Sequence, residues 1–267
     1  SRDTRPRQTF MRVLSLLGAP SAEKHFFAKL LGARLRVPVL ATGSLLDTEV
    51  AHRTHAGRQI EEARRGSAAG SLLPSKVVLP VVMQAVQGAR QSGYDTAILV
   101  GAPRSVEQLD MLCAAPQPCT HSRWPSPSRH PSASLFSRRN AGVAAEVVHL
   151  ALPEARATHR RGKRRVCAGC GFPLYPPEEG GGQCVKCGCD DGVAEPLPPS
   201  PLDTDAPAVE ARCAAWRSAA EPLLQRLRSR GSGLVEVKVL EDAEHTWTTL
   251  QLALGLEEAP AVAAAQG

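Results

Sequence analysis

Five short apolar runs, separated by helix-like segments, constrain this chain more than any other feature. They are MRVLSLLG (11–18), LRVPVLA (35–41), DTAILVG (95–101), AEVVHLAL (145–152) and GLVEVKVL (233–240). Each is rich in Val, Ile and Leu without strict alternation, the pattern of a strand covered on both faces. Between them lie AEKHFFAKLLGARL (22–35), PSKVVLPVVMQAVQGARQSG (74–93) and a segment starting near Val209, AVEARCAAWRSAAEPLLQRLRSRG (208–231). Strand–helix–strand units of this kind build a parallel sheet with helices on both faces. Pro80 predicts a kink or a break inside the second helix. No internal repeat is visible.

At 267 residues and 43% hydrophobic content, the chain can bury one large core or a core with a subdomain. No apolar run approaches membrane-spanning length, so membrane insertion is not expected. A net charge of +6 and a pI near 9.0 permit contact with RNA or an acidic partner. The basic residues cluster in a Pro/Ser-rich stretch, 120–140, and in RATHRRGKRRVC (156–167). A charge run is usually a solvated face, so a partner has to be argued from elsewhere. The Arg-rich opening, SRDTRPRQTFMR, reads as the remains of an organelle transit peptide or as an ordinary basic tail.

The strongest chemical signal is CAGCGFPLYPPEEGGGQCVKCGCDDG. Cys167 and Cys170 form one C-x2-C pair, and Cys184 and Cys187 form another after thirteen intervening residues. Each pair is followed by a glycine, Gly171 or Gly188, as in a tight knuckle that turns two thiolates toward one ion. Four thiolates around a tetrahedral Zn(II) suit this spacing, and four protein ligands make the metal structural rather than catalytic. Arg164, Arg165 and Lys186 offset the thiolate charge. Cys189 is an alternative to Cys187. The competing reading, disulfides, needs an oxidising compartment; zinc is the expectation here, standing in for the core that a flap of about 25 residues lacks.

With these pieces in order, the chain resembles an adenylate kinase of the long, zinc-lid type, from about 11 to 256 apart from the Pro/Ser-rich insertion. GAP at 18–20 with Lys24 resembles the start of the phosphate loop. ATGSLL (41–46), with Thr42 and Gly43, resembles the turn of the AMP site, and GSLLPSKVV (70–78) the segment that wraps the adenine. VGAPRSVEQLD (100–110) resembles the Asp-Gly-Phe-Pro-Arg motif, placing Arg104 and Gln108 in AMP-binding positions. RRGKRRVCAGC, including Arg164, resembles the entry to the lid, and Arg212 falls at a phosphate-contacting position of the helix beyond it. The resemblance implies a P-loop NTPase-like α/β fold: a five-stranded parallel sheet with helices on both faces, a helical AMP-binding-like subdomain and a zinc-ribbon-like lid. The implied layout is a basic tail (1–10), a core (11–113 and 141–156) with the AMP-binding-like part at about 42–80, and an insertion (114–140). The zinc lid (157–206), the rest of the core (207–258) and a tail (259–267) complete it.

Departures from the family pattern concentrate where chemistry occurs. A working loop reads G-x-x-G-x-G-K followed by a small residue and Ser or Thr; its glycines let backbone N–H groups reach the phosphates and its hydroxyl holds Mg(II). Here Ser21 and Glu23 replace the inner glycines, and His25 and Phe26 follow Lys24. Glu23 beside a phosphate at ~4 Å costs on the order of 4 kcal/mol at an effective dielectric near 20, roughly a thousandfold in affinity. Ser44 and Asp47 replace the aspartate and arginine of the AMP turn, Val100 replaces the acid that orders the Mg(II) waters, and Pro201 replaces a lid-strand arginine, leaving only Asp203 of a paired aspartate. Phosphoryl transfer depends on positioning and charge neutralisation, and these losses remove much of both.

The functional expectation is a catalytically degenerate adenylate kinase-like protein, kept as a structural or accessory subunit of a larger assembly in a mitochondrion or chloroplast, or otherwise in the cytoplasm. Two alternatives stand beside it: an active, divergent nucleoside monophosphate kinase, and an RNA-contacting subunit. Lys24, Arg104 and Arg212 are read as catalytic remnants, and Gly18, Lys24, Thr42, Gly43, Arg104, Gln108 and Arg164 as nucleotide-binding remnants or as ordinary residues of a retained fold. Expected partners are protein subunits. Zn(II) is the expected cofactor, with ATP, AMP and Mg(II) bound weakly or not at all.

Overall fold

The computed structural model describes residues 11–67, 71–114, 144–153, 165–167, 173–174, 194–196, 206–230, 233–240 and 243–256. β1 (Arg12–Gly18), β2 (Val39–Ala41), β3 (Thr96–Val100), β4 (Ala144–Ala151) and β8 (Leu234–Lys238) form one sheet in the order β2-β3-β1-β4-β8. Every pairing is parallel, with Leu14 beside Ile98 on one side and Glu146 on the other. The central strands β1 and β3 are buried almost throughout, while the edge strand β8 alternates buried Val235 and Val237 with exposed Glu236 and Lys238. That alternation fits an edge, where charge blunts further pairing.

The helices are α1 (Lys24–Leu35), α2 (Thr42–Ala51), α3 (His55–Arg65), α4 (Ser75–Gln91), α5 (Val106–Ala114), α6 (Ala206–Ser229) and α7 (Ala243–Ala253). Successive β1 side chains point to opposite faces, and the core divides accordingly. Leu14 and Leu16 pack with Phe27 and Leu31 of α1 and Leu250 of α7. Val13 faces Val78, Leu79, Val82 and Val86 of α4, together with Leu46 of α2 and Ile60 of α3. Leu17 meets Leu109 of α5 and Leu223 and Leu227 of α6. None of the described helices is long and apolar enough to cross a membrane.

Two expectations from the sequence need correction. The run 35–41 is not one strand: α1 continues to Leu35, and only Val39–Ala41 extends, because Pro38 disfavours helix at the residue before it and lacks a donor. Its carbonyl accepts from the Ile98 backbone at 2.9 Å, which docks β2 on β3. Pro80 does not break α4, which runs unbroken from Ser75 to Gln91. Pro80 is exposed, while Val78, Leu79, Val81 and Val82 around it are buried, so packing outweighs one missing helical bond.

α2 and α3 approach closely. A Cβ on Gly57 would lie 2.1 Å from the Glu49 carbonyl oxygen, so only glycine fits that crossing. Thr54 caps α3, its Oγ1 accepting from the Gly57 N–H at 2.9 Å. A second, small antiparallel sheet sets β5 (Arg165–Cys167) between β6 (Pro173–Leu174) and β7 (Ala194–Pro196).

Candidate functional site

Because β1, β2 and β3 are parallel neighbours, their C-terminal ends share one edge of the sheet, where α/β folds place their ligands. Three segments leave that edge: residues 19–23 after β1, α2 directly after β2, and residues 101–105 after β3. Gly18 and Lys24 flank the first, Thr42 and Gly43 open α2, Arg104 lies in the third with Gln108 just beyond it, and the Arg212 charge on α6 acts on Arg104.

The segment after β1 has an unusual backbone. Ser21 and Glu23 both adopt positive φ, 65° and 53°, and Glu23 at ψ 30° is left-handed. These are the two positions where a phosphate loop has glycine, so the chain turns as such a loop does with residues that disfavour it. Glu23 is only 5% exposed. It precedes α1 as its N-cap without a side-chain cap bond. Lys24 Nζ donates to the Ala19 carbonyl at 2.7 Å, turned back onto its own loop. At Gly18 a Cβ would meet the Leu150 carbonyl oxygen at 2.8 Å, so glycine is required for β1 to close on β4. Phe26 packs its ring against the α1 face of the core and edge-on to Phe27. Its consequence for the site is therefore an absent hydroxyl.

The turn after β3 holds Arg104. Gly101 has φ +88°, and a Cβ there would meet Arg104 Nη2 at 3.2 Å and Thr42 Cβ at 3.7 Å, so the guanidinium and Thr42 converge over that glycine. Arg104 Nε donates to the Gly101 carbonyl at 2.8 Å, and its backbone N–H donates to Gln108 Oε1 at 2.7 Å. Gln108 is buried and thus shapes the turn. Arg104 is exposed, yet the protein crowded around its guanidinium, followed by the nearby Arg212 charge, lowers its pKa. Thr42 is buried, and its Oγ1 has no hydrogen-bond partner among the described residues. Gly43 has open space where a Cβ would be. Two neighbouring cations and a buried, unpartnered hydroxyl are complementary to an anion.

Asp47, which replaces an arginine of the family pattern, is neutralised across the α2–α3 pair: Arg64 Nη2 lies 2.6 Å from its Oδ1. Reading the sequence alone missed this pairing, since it depends on the helix crossing. Of the expected zinc ligands, Cys167 ends β5, while Cys170, Cys184, Cys187 and the alternative Cys189 lie outside the described residues, as does Arg164. Among the described residues there is no group of three or more His, Cys, Asp or Glu that could hold a metal.

A parallel sheet with a phosphate-loop-like turn at its C-terminal edge defines a P-loop kinase-like α/β protein. No family model matches the chain. It is similar to the adenylate kinase of Moorella thermoacetica, 31% identical over 222 residues, which cover 82% of this chain and 87% of that protein. It is 24% identical to the adenylate kinase of Caldicellulosiruptor bescii over 247 residues, 91% of this chain and 99% of the relative. A third adenylate kinase, from Elusimicrobium minutum, is 28% identical over 181 residues, 67% of this chain and 72% of the relative. The chain belongs to the adenylate kinase family.

Proposed function

We propose that this chain is a catalytically degenerate adenylate kinase, retained as a structural or accessory subunit of a larger assembly. The observation that supports this most is Glu23: a buried carboxylate in the loop where a nucleoside triphosphate would have to lie, next to a lysine already bonded to Ala19. A carboxylate and a phosphate in one small loop repel, and neither inner glycine is left to bring the backbone amides closer. Without the loop hydroxyl, the acid replaced by Val100 and the lid-strand arginine, the residues that would order Mg(II) and clamp the transferred group are missing. Calorimetry on the full chain tests this: Mg-ATP should give only background heat. Low-micromolar binding of Mg-ATP, or of a dinucleotide joining both substrates, would contradict it.

The AMP half supports a second reading. The convergence of Thr42 and Arg104 over Gly101, with the Arg212 charge near, suits a phosphate, as an active kinase would need and as a protein holding a nucleoside monophosphate alone would also need. On the degenerate reading, AMP binds weakly there without ATP or Mg(II).

Structural Zn(II) held by Cys167, Cys170, Cys184 and Cys187 is part of the same proposal; two C-x2-C pairs form a donor set suited to a tetrahedral site that anchors the lid and takes no part in chemistry. The proposed setting is a mitochondrion or chloroplast, with protein subunits as partners. Contact with RNA through the basic segments would make association fall steeply with salt.

A further inference from the structure

Ser15 is a fully buried polar residue inside an otherwise apolar strand, between Leu99 of β3 and Val147 of β4 in register. A buried hydroxyl costs stability unless it is hydrogen-bonded. Its Oγ donates to the Ala102 carbonyl, which belongs to neither adjacent strand but to the turn that carries Arg104. Packing also holds that turn, since Gly101, Ala102 and Pro103 are buried, Ala102 within the core that includes Val13 and Leu99. Gly101 sits at φ +88°, and Pro103 lacks an N–H. Three of its hydrogen bonds are local: Arg104 Nε to Gly101, Arg104 N–H to Gln108, and Gln108 N–H to Ser105 Oγ at 3.2 Å. These bonds lie within the turn, whereas the Ser15 hydrogen bond links the turn to the middle of β1.

We propose that Ser15 is a positioning residue for the monophosphate site. From the centre of β1 it tethers the 101–105 turn so that the Arg104 guanidinium stays over Gly101 beside Thr42, ready for a phosphate anion. It touches no ligand and acts through Ala102. The inference rests on the reading that this site receives a nucleoside monophosphate.

The test uses the full chain with Ser15→Ala and Ser15→Thr, the second keeping the hydroxyl. AMP affinity is read by calorimetry, with inorganic phosphate as a second probe, and backbone order by amide hydrogen exchange. Ser15→Ala should weaken AMP about tenfold, the ratio expected from one lost buried hydrogen bond. It should also speed exchange at Arg104, Gln108 and Leu109 while leaving the amides of β4 unchanged, and Ser15→Thr should restore both. Unchanged exchange in the turn, or an equal rise across the whole sheet, would overturn the proposal. If AMP fails to bind the unaltered chain, the site reading fails, and the exchange pattern alone decides whether Ser15 orders the turn.

Discussion

Returning glycine to the loop separates its two defects, strain and charge. Ser21 and Glu23 hold φ values of 65° and 53°. An L-residue in the left-handed region costs about 1–2 kcal/mol, of which glycine gives back roughly 0.5–1 kcal/mol through its freer unfolded chain. Ser21→Gly with Glu23→Gly should therefore stabilise the fold by roughly 1–2 kcal/mol, raising Tm by about 2–4 °C per kcal/mol for a domain of this size. Glu23→Gly also removes a buried carboxylate from beside Lys24, worth up to on the order of 4 kcal/mol toward a phosphate. Glu23→Ala is the control, since it removes the charge but keeps the strained φ. Thermal unfolding and Mg-ATP calorimetry on all three proteins should show Glu23→Ala gaining affinity without stability and the double glycine variant gaining both. A double variant less stable than the parent, or a parent that binds Mg-ATP as tightly as the variant, would refute the reasoning.

Further expectations follow from the rest of the molecule. Gly57→Ala places a Cβ 2.1 Å from the Glu49 carbonyl oxygen, so α2 and α3 must part at a cost of about 1–3 kcal/mol; an unchanged Tm would argue against that crossing. Toward the β8 edge of the sheet, His149 lies 3.2 Å from Glu236, near Trp216, with Arg228 bonded to the same Glu236. Burial lowers the His149 pKa, outweighing the hydrogen bond and charge of Glu236 that raise it. The unfolded chain therefore takes up the proton first as pH falls below about 6.5, and stability is lost toward the lower folded pKa. Urea unfolding between about pH 7.5 and 5.5 should show that loss, and His149→Gln should flatten it. The purified chain should carry stoichiometric zinc that Cys167→Ser with Cys170→Ser removes; a metal-free chain with an intact lid would count against the metal.

The sheet was legible because strands covered on both faces must be apolar runs, and 11–18, 95–101 and 145–152 are such runs. The run 35–41 misled because Leu35 and Val39 look alike in sequence and only Pro38 marks where helix gives way to strand. Of the kink or break expected at Pro80, the break does not occur, since a helix anchored by a buried valine face tolerates one missing donor. At the site, the resemblance named Thr42, Arg104, Gln108 and Arg212; the first three follow the ends of β2 and β3 on one edge of the sheet. Ser15 was not legible: one hydroxyl in an apolar run carries no signal until the turn it holds is seen. Nor was the Arg64–Asp47 pair, which depends on how two helices cross. Sequence shows that the two inner loop glycines are gone, but only the backbone shows positive φ at Ser21 and Glu23 in their place.

The central claim, that this scaffold no longer transfers phosphate, is tested most directly by incubating the purified full chain with Mg-ATP and AMP and following ADP. ADP at the level of the protein-free control is the outcome expected here. Saturable ADP production that scales with protein concentration and is lost in Arg104→Ala would contradict it.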